Sequence, residues 1–160
     1  MRASFERLRN SRPKWITKNT LMVLHARQVE RHGGAHGVRD WAAVLRAHGT
    51  PGRYEMNNRS ADLADLAAGY LVGFARSDGF QDGNQRTGLA CALVFLVLNG
   101  QELHVPPREL YDLFLAAEAG RAEHSDVAQY IRRRMTPRNS FCPPETSKST
   151  TSNHRIGGAA

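Results

Sequence analysis

The chain has 160 residues, of which 41% are hydrophobic, enough for one domain with a buried core. Its longest apolar stretch, Leu89 to Leu98, is about half of what a bilayer span needs, and the N-terminus lacks the apolar block of a signal peptide. We therefore expect a cytoplasmic protein with no membrane partner. The formal charge of +7 suits anionic ligands and acidic partners, but no nucleic-acid-binding motif accompanies it, so direct nucleic-acid binding is disfavoured.

Helical periodicity dominates the chain and predicts a mainly α fold. The first two helices are expected at about Thr17 to Arg31 and Asp40 to Ala47. Asp40 is predicted to cap the second helix, and Arg39 is predicted to form a local ion pair. Between Gly49 and Arg59 the chain is rich in turn formers and short of core residues, which is typical of a mobile loop.

Four more helices are expected in the rest of the chain. One is capped by Ser60 and presents a single apolar face up to Phe74. The next, Asn84 to Asn99, is apolar nearly all round and is predicted to be the buried central helix. The last two open at Pro106 and Pro107 and at about Ser125, and the final helix closes with three arginines, Arg132 to Arg134.

The segment DGFQDGNQRTG, Asp78 to Gly88, lies between two of these helices. Asp82 and Gly83 predict a tight turn, after which Asn84 caps the following helix. The first backbone N–H groups of that helix have no intrahelical partner and lie at its positive end, so the backbone from Gly83 to Gln85 can form an anion hole. A plain polar turn is the alternative for any single one of these residues.

Side chains of the same segment add to this anion site. Arg86 offers a fixed fork for phosphate oxygens, and we expect Asn84 to hold phosphates as well. Asp82 is suited to magnesium, which on a nucleotide is usually held by one or two carboxylates. Phe80, the large apolar residue of the loop, is predicted to anchor it in the core.

The segment resembles the signature of the Fic/Doc family, His-x-Phe-x-Asp-(Gly or Ala)-Asn-(Lys or Gly)-Arg, through Phe80, Asp82, Gly83, Asn84 and Arg86. The segment LHARQVERHGGAHGVRD, Leu24 to Asp40, resembles the opening helix and turn of the family. The likeness covers about Trp15 to Arg134 and is strongest to the small Doc toxins. We therefore expect an N-terminal extension (1–14), a Fic/Doc-like domain (15–135) and a tail (136–160) whose composition predicts disorder.

The resemblance implies a helical bundle and a toxin that transfers phosphate from Mg-ATP to a hydroxyl of a protein, with translation elongation factor Tu as the expected target. It also implies an antitoxin supplied in trans. The family carries a β-hairpin flap that aligns its target by strand addition, and here Tyr54, Glu55 and Met56 would form that strand.

Two positions depart from the signature, because Asp78 occupies the place of the catalytic histidine and Gln85 that of the lysine or glycine. The family's histidine takes the proton of the acceptor hydroxyl, and loss of a general base typically costs about a hundred- to ten-thousandfold in rate. Asp78 is therefore a natural divergence, a substitute base, or a change that allowed a toxic protein to be produced. Two other functions stay open: transfer of AMP, as in Fic adenylyltransferases, and an inactive module that binds an antitoxin or a nucleotide.

Overall fold

The computed structural model describes residues 12–138, and these form a mainly helical fold, as the sequence predicted. In chain order the elements are α1 (Lys18–His32), α2 (Trp41–His48), α3 (Thr50–Asn57), α4 (Leu63–Ala75), α5 (Asn84–Leu98), β1 (Gln101–Leu103), α6 (Pro107–Glu118), α7 (His124–Arg134) and β2 (Met135–Pro137). No helix in this part of the chain is both long and apolar enough to cross a membrane.

Helix α4 is the centre of the bundle. It packs against α2, α3, α5, α6 and α7, and ten of its 13 residues are buried, including Tyr70 and Phe74. The prediction that Asn84 to Asn99 forms the central helix was therefore wrong. Helix α5 packs on α4 and α1 and buries six of its 15 residues, while Val97 and Leu98 near its C-terminus remain exposed. Hydrophobicity on all sides of α5 thus overstated its burial.

The caps explain where the helices begin. Asp40 accepts a hydrogen bond from the N–H of Ala43 at the start of α2, as predicted. Helix α4 begins two residues later than predicted, because Asp62 rather than Ser60 is its cap. Asp62 and Asp65 form a reciprocal capping box, in which each side chain accepts from the backbone N–H of the other.

The predicted flap strand of Tyr54, Glu55 and Met56 was also wrong. These residues lie in α3, which begins directly after α2 with Pro51 in its first turn, the position in which proline favours a helix. Helix α3 packs against α4, so its conformation is fixed by tertiary contact that the local turn formers do not reveal. The mobile loop considered for the same segment is likewise replaced by a helix.

The sheet of the described residues lies elsewhere. Strands β1 and β2 pair antiparallel, with Gln101 opposite Pro137 and Leu103 opposite Met135. Thr136 and Pro137, the first residues of the predicted tail, therefore belong to the folded part. Residues 139–160 of that tail and residues 1–11 of the predicted N-terminal extension lie outside the described residues.

Candidate functional site

The motif loop, residues 76–83, joins α4 to α5 and is held by backbone hydrogen bonds to the glycine-rich turn after α1. The N–H groups of Arg39 and Asp40 donate to the carbonyl of Gly79 at 2.8 and 3.0 Å, and the N–H of Gln81 donates to Gly37 at 3.0 Å. These bonds hold the loop against the turn on either side of Phe80, which forms an isolated antiparallel bridge with Val38. The local ion pair predicted for Arg39 is not found among residues 12–138, where its backbone makes the contact instead.

Gly83 sets the start of α5. Its φ of 73° is the left-handed conformation that glycine adopts without strain. Gly83 is the N-cap and Asn84 is the first helical residue, so the prediction that Asn84 caps α5 was wrong. No side chain caps this end of α5, and its first helical hydrogen bond is the one that the N–H of Thr87 donates to the carbonyl of Gly83 at 2.9 Å. The N–H groups of the first turn are therefore available to an anion.

The side chain of Asn84 is used inside the loop. Its Oδ1 accepts from the N–H of Phe80 at 2.9 Å, and its Nδ2 donates to the carbonyl of Phe80 at 3.0 Å. The amide thus pairs with both backbone polar groups of Phe80 and closes the loop over residues 80–84. The backbone N–H of Asn84 remains the group that could face a phosphate, whereas the side chain was expected to do so.

Phe80 is 1% exposed and lies between His25 and Phe74. The imidazole of His25 is itself buried, and its Nδ1 is 3.2 Å from the hydroxyl of Thr87 at the start of α5. Burial lowers the pKa of His25, and the positive charges of His36 and Arg86 lower it further, while Asp82 opposes them. A neutral histidine therefore packs under the motif loop against Phe80.

Arg86 is tied to the end of α1 rather than left free. Its Nη1 donates to the carbonyls of Gly33 at 3.0 Å and Gln28 at 3.4 Å, and its Nη2 lies 3.4 Å from Oδ1 of Asp82. Carbonyls at the C-terminal end of a helix attract a cation, so the guanidinium is held in one place. Gly34 makes room for this pair, since a Cβ there would overlap the carboxylate of Asp82.

A pocket of about 400 Å³, called the motif pocket below, opens between the loop and α6. Its charged lining residues are Asp78, Asp82, Arg86 and Glu118. Asp78 is exposed, and its carboxylate has no hydrogen bond to another residue in the 12–138 range. Gln85 reaches across the pocket and donates from Nε2 to Oε2 of Glu118 at 2.9 Å. The pocket therefore brings together the predicted polar site residues from Asp78 to Arg86, whereas Phe80 is buried and the residues of the supposed flap do not line it.

Comparison with known proteins agrees with this geometry. The Fic/DOC family model matches residues 15–96, the half of the chain that contains α1 to α5 and the motif loop. The chain is also 37% identical over 121 residues to the protein kinase doc of Escherichia phage P1. The aligned region covers 74% of this chain and 93% of that protein. The chain belongs to the Fic/Doc family.

The donor set of this Fic/Doc site fits a magnesium nucleotide. No group of three or more His, Cys, Asp or Glu side chains that could hold a metal ion occurs in residues 12–138. A Mg²⁺ ion on a nucleotide needs one or two carboxylates, and Asp82 supplies one beside the free N–H groups of α5 and the fork of Arg86. These residues would hold the phosphates and the metal.

The contacts of three contributors to the Fic/Doc site were not predicted from the sequence. Glu118 lies 33 residues beyond Gln85, and His25 lies 62 residues before Thr87, so no local pattern connects the partners. The carbonyl of Gly33, which fixes Arg86, is a backbone group and leaves no trace in residue type. The glycines after α1, Gly34 and Gly37, were the one sequence signal for these contacts. Their lack of side chains lets the motif loop pack closely against this turn.

Proposed function

We propose that this Fic/Doc protein is a Doc-like toxin that binds Mg-ATP and transfers its terminal phosphate to a hydroxyl of a protein, with translation elongation factor Tu as the first candidate. The observation that carries this function is the left-handed turn at Gly83, which leaves the N-terminus of α5 uncapped in a pocket shared with Asp82, Arg86 and Asp78. The similarity to a protein named as a kinase favours phosphate over AMP.

Each group has a separate task. The N–H groups of the first turn of α5 and the guanidinium of Arg86 hold phosphate oxygens, and Asp82 holds Mg²⁺. When bound, Mg-ATP supplies the phosphoryl group, and catalysis rests mainly on positioning and charge stabilisation. Asp78 occupies the place from which a base would take the acceptor proton. Phe80, Asn84 and His25 keep the loop rigid without touching the reactants.

The charges of the motif pocket argue that the activity is impaired. Its side chains include three carboxylates, from Asp78, Asp82 and Glu118, and one guanidinium, from Arg86. With histidine at 78 and lysine at 85, as in the family signature, the same pocket would gain a cation and lose an anion. A polyphosphate is therefore held less tightly here, and its binding should depend strongly on Mg²⁺.

Asp78 also favours a second candidate, a protein that keeps the nucleotide or antitoxin site and has lost turnover. A carboxylate without a hydrogen-bonding partner is a poor base at neutral pH, whereas histidine changes charge there. In both candidates the resemblance to Doc toxins implies an antitoxin supplied in trans as the regulator. Fic proteins are often inhibited by their own glutamate in a Ser/Thr-x-x-x-Glu-(Gly or Asn) pattern, and none of the eight glutamates of this sequence is followed by Gly or Asn.

The test is intact mass spectrometry of elongation factor Tu after incubation with Mg-ATP and either this protein or its Asp78→His variant. We expect a phosphate adduct with Asp78→His and about a hundredfold or more slower reaction with Asp78. Asp78→Asn is the matched control, because it keeps the size of the side chain and removes its charge without supplying a base.

An AMP adduct would replace the kinase by an adenylyltransferase. Absence of any adduct, together with Mg-ATP binding measured by calorimetry, would favour the inactive binding module. Absence of both adduct and nucleotide binding would contradict the nucleotide site itself.

A further inference from the structure

A second cavity, called the arginine pocket below, lies on the other side of Asp78. It has a volume of about 310 Å³ and opens between α2, α3 and α4. Three guanidinium groups line it, those of Arg46, Arg53 and Arg76. Its floor consists of small side chains, because α2, α3 and α4 approach closely at Gly73, where a Cβ would lie 2.8 Å from the carbonyl of Ala47.

The three guanidinium groups differ in how far nearby carboxylates neutralise their charge. Arg53 donates from Nη2 to the carbonyl of Arg46 at 2.6 Å and to the hydroxyl of Thr50 at 3.1 Å. Its charge faces no carboxylate within 4.0 Å among residues 12–138. Arg46 and Arg76 each have one carboxylate at 3.5 Å, from Asp40 and Glu123 respectively. Both ion pairs are exposed to solvent, so water screens their attraction.

The arginine pocket and the motif pocket share two lining residues, Ser77 and Asp78. A chain segment that fills the arginine pocket would therefore pass directly beside the position of the base. Strand addition is not available here, because residues 50–57 form α3 and the backbone groups of a helix are bonded within it. Recognition on this side has to come from side chains.

We propose, on the basis of the function proposed above, that the arginine pocket binds an acidic side chain of the acceptor protein, close in sequence to the hydroxyl that is modified. Arg53 forms the principal contact, because it is the arginine held by neutral groups. A carboxylate seated there matches the planar fork of a guanidinium, and the shared wall at Asp78 brings the neighbouring hydroxyl to the motif pocket.

One experiment measures binding without turnover. The protein as it stands, with Asp78, is titrated with the peptides (Gly-Glu-Glu-Thr)₃ and (Gly-Gln-Gln-Thr)₃ while amide chemical shifts are followed by NMR. We expect the acidic peptide to shift Thr50, Arg53 and Gly73 and to bind about tenfold more weakly to Arg53→Gln. Arg108→Gln is the matched control, because Arg108 is also an exposed arginine but lies on α6 outside the pocket, and this variant should bind like the parent.

Equal shifts with the amide peptide, or acidic-peptide shifts confined to other surfaces, would overturn the site. Because this readout needs no transfer, it can succeed even where elongation factor Tu receives no phosphate. Failure of the proposed function is thereby separated from failure of the arginine pocket.

A second experiment assigns the pocket to the acceptor. In the Asp78→His background, Arg53→Gln should raise KM for elongation factor Tu about tenfold and leave KM for ATP and kcat unchanged. The same change in Arg108→Gln, or an unchanged KM for the acceptor combined with weaker antitoxin binding, would overturn the assignment.

Discussion

The imidazole of His25 lies flat on the phenyl ring of Phe80, with ring centroids 3.8 Å apart and ring planes 8° from parallel. This stack joins α1 to the motif loop. The Nδ1 atom of His25 contacts Thr87 on α5, so one side chain fixes both the loop and the helix that follows it. The Nε2 atom is buried without a partner among residues 12–138, which makes protonation of the ring costly.

Stability should therefore fall as the solution becomes acidic. Burial lowers the pKa of His25, so the unfolded chain binds its proton first and acid favours unfolding. The stabilising contribution is complete above the unfolded value of about 6.5 and is lost as the pH drops toward the lower folded value. His124 contributes in the same direction, since burial also lowers its pKa. Urea unfolding at pH 7.5 and pH 5.5 measures this loss.

The variant His25→Phe should reduce the difference in unfolding free energy between the two pH values, because it keeps an aromatic ring against Phe80 and cannot titrate. His32→Gln, at the exposed end of α1, is the control and should leave that difference unchanged. An unchanged pH dependence in His25→Phe would show that His25 is not the group responsible.

Gly34 offers a test of how the Asp82 and Arg86 pair is positioned. Gly34→Ala would place a Cβ on the carboxylate of Asp82 and would strain a backbone with φ of 122°. Gly33→Ala is a matched control, because its φ of 76° is also strained but its Cβ meets nothing within 4 Å. We expect both to lose about 1–3 kcal/mol of unfolding free energy, with the larger loss for Gly34→Ala. Equal losses would show that Asp82 moves aside freely.

Local sequence patterns predicted much of this fold. The apolar periodicity gave the helices around residues 17–31, 40–47 and 84–99 to within about two residues, and Asp40 and the turn glycine Gly83 act as local chemistry requires. The motif itself could be recognised because its residues are contiguous. Helix α3 could not, since its turn-forming residues become helical through packing on α4.

The parts of the site that were missed depend on distance along the chain. The two hydrogen bonds between the Asn84 side chain and the backbone of Phe80 were not predicted, because they depend on how the loop folds back onto the start of α5. The pairing of Gln85 with Glu118 follows from where α6 ends, which no pattern around Gln85 records. The residue types of the motif therefore indicate which groups are present in the site, but the charge balance of the motif pocket depends on distant residues such as Glu118.

Arg132 provides a test of the link between α7 and α4. Its Nε lies 2.6 Å from Oδ2 of Asp62, and its Nη2 lies 2.9 Å from Oδ1 of Asp65. Because these side chains are partly exposed, we expect Arg132→Gln to cost only about 1 kcal/mol of unfolding free energy. Arg133→Gln, the exposed neighbour, is the control. Equal effects of the two variants in urea unfolding would mean that the ion pair contributes nothing measurable.

The ion pair between Arg132 and Asp62 should also make the stability depend on pH in acidic solution. Burial opposes ionisation of Asp62, but hydrogen bonds from Arg132 and from the backbone of Asp65 outweigh it and lower the pKa of that carboxyl. The stability it provides is present above the unfolded value and is lost as the pH falls through the folded one. The cost of Arg132→Gln should accordingly shrink below about pH 3.8, where the partner carboxylate of the unfolded chain is protonated.

Gln85 and Glu118 test the charge balance of the motif pocket. Gln85→Lys adds a cation beside Glu118, and Glu118→Gln removes an anion, so each should strengthen Mg-ATP binding by about tenfold, or 1.4 kcal/mol. Glu30→Gln, which lies outside the pocket, is the control for a general change in net charge. Calorimetric titration with Mg-ATP gives the dissociation constants.

The double variant Gln85→Lys/Glu118→Gln distinguishes two explanations of that gain. If both side chains act on the phosphates independently, their effects should add within about 0.5 kcal/mol. If lysine at 85 is instead held by the carboxylate of Glu118, the removal of Glu118 should release it, and the combined gain should exceed the sum. Unchanged affinity in both single variants and in the pair would place the phosphates away from this side of the pocket and leave Arg86 and the N-terminus of α5 as their binding groups.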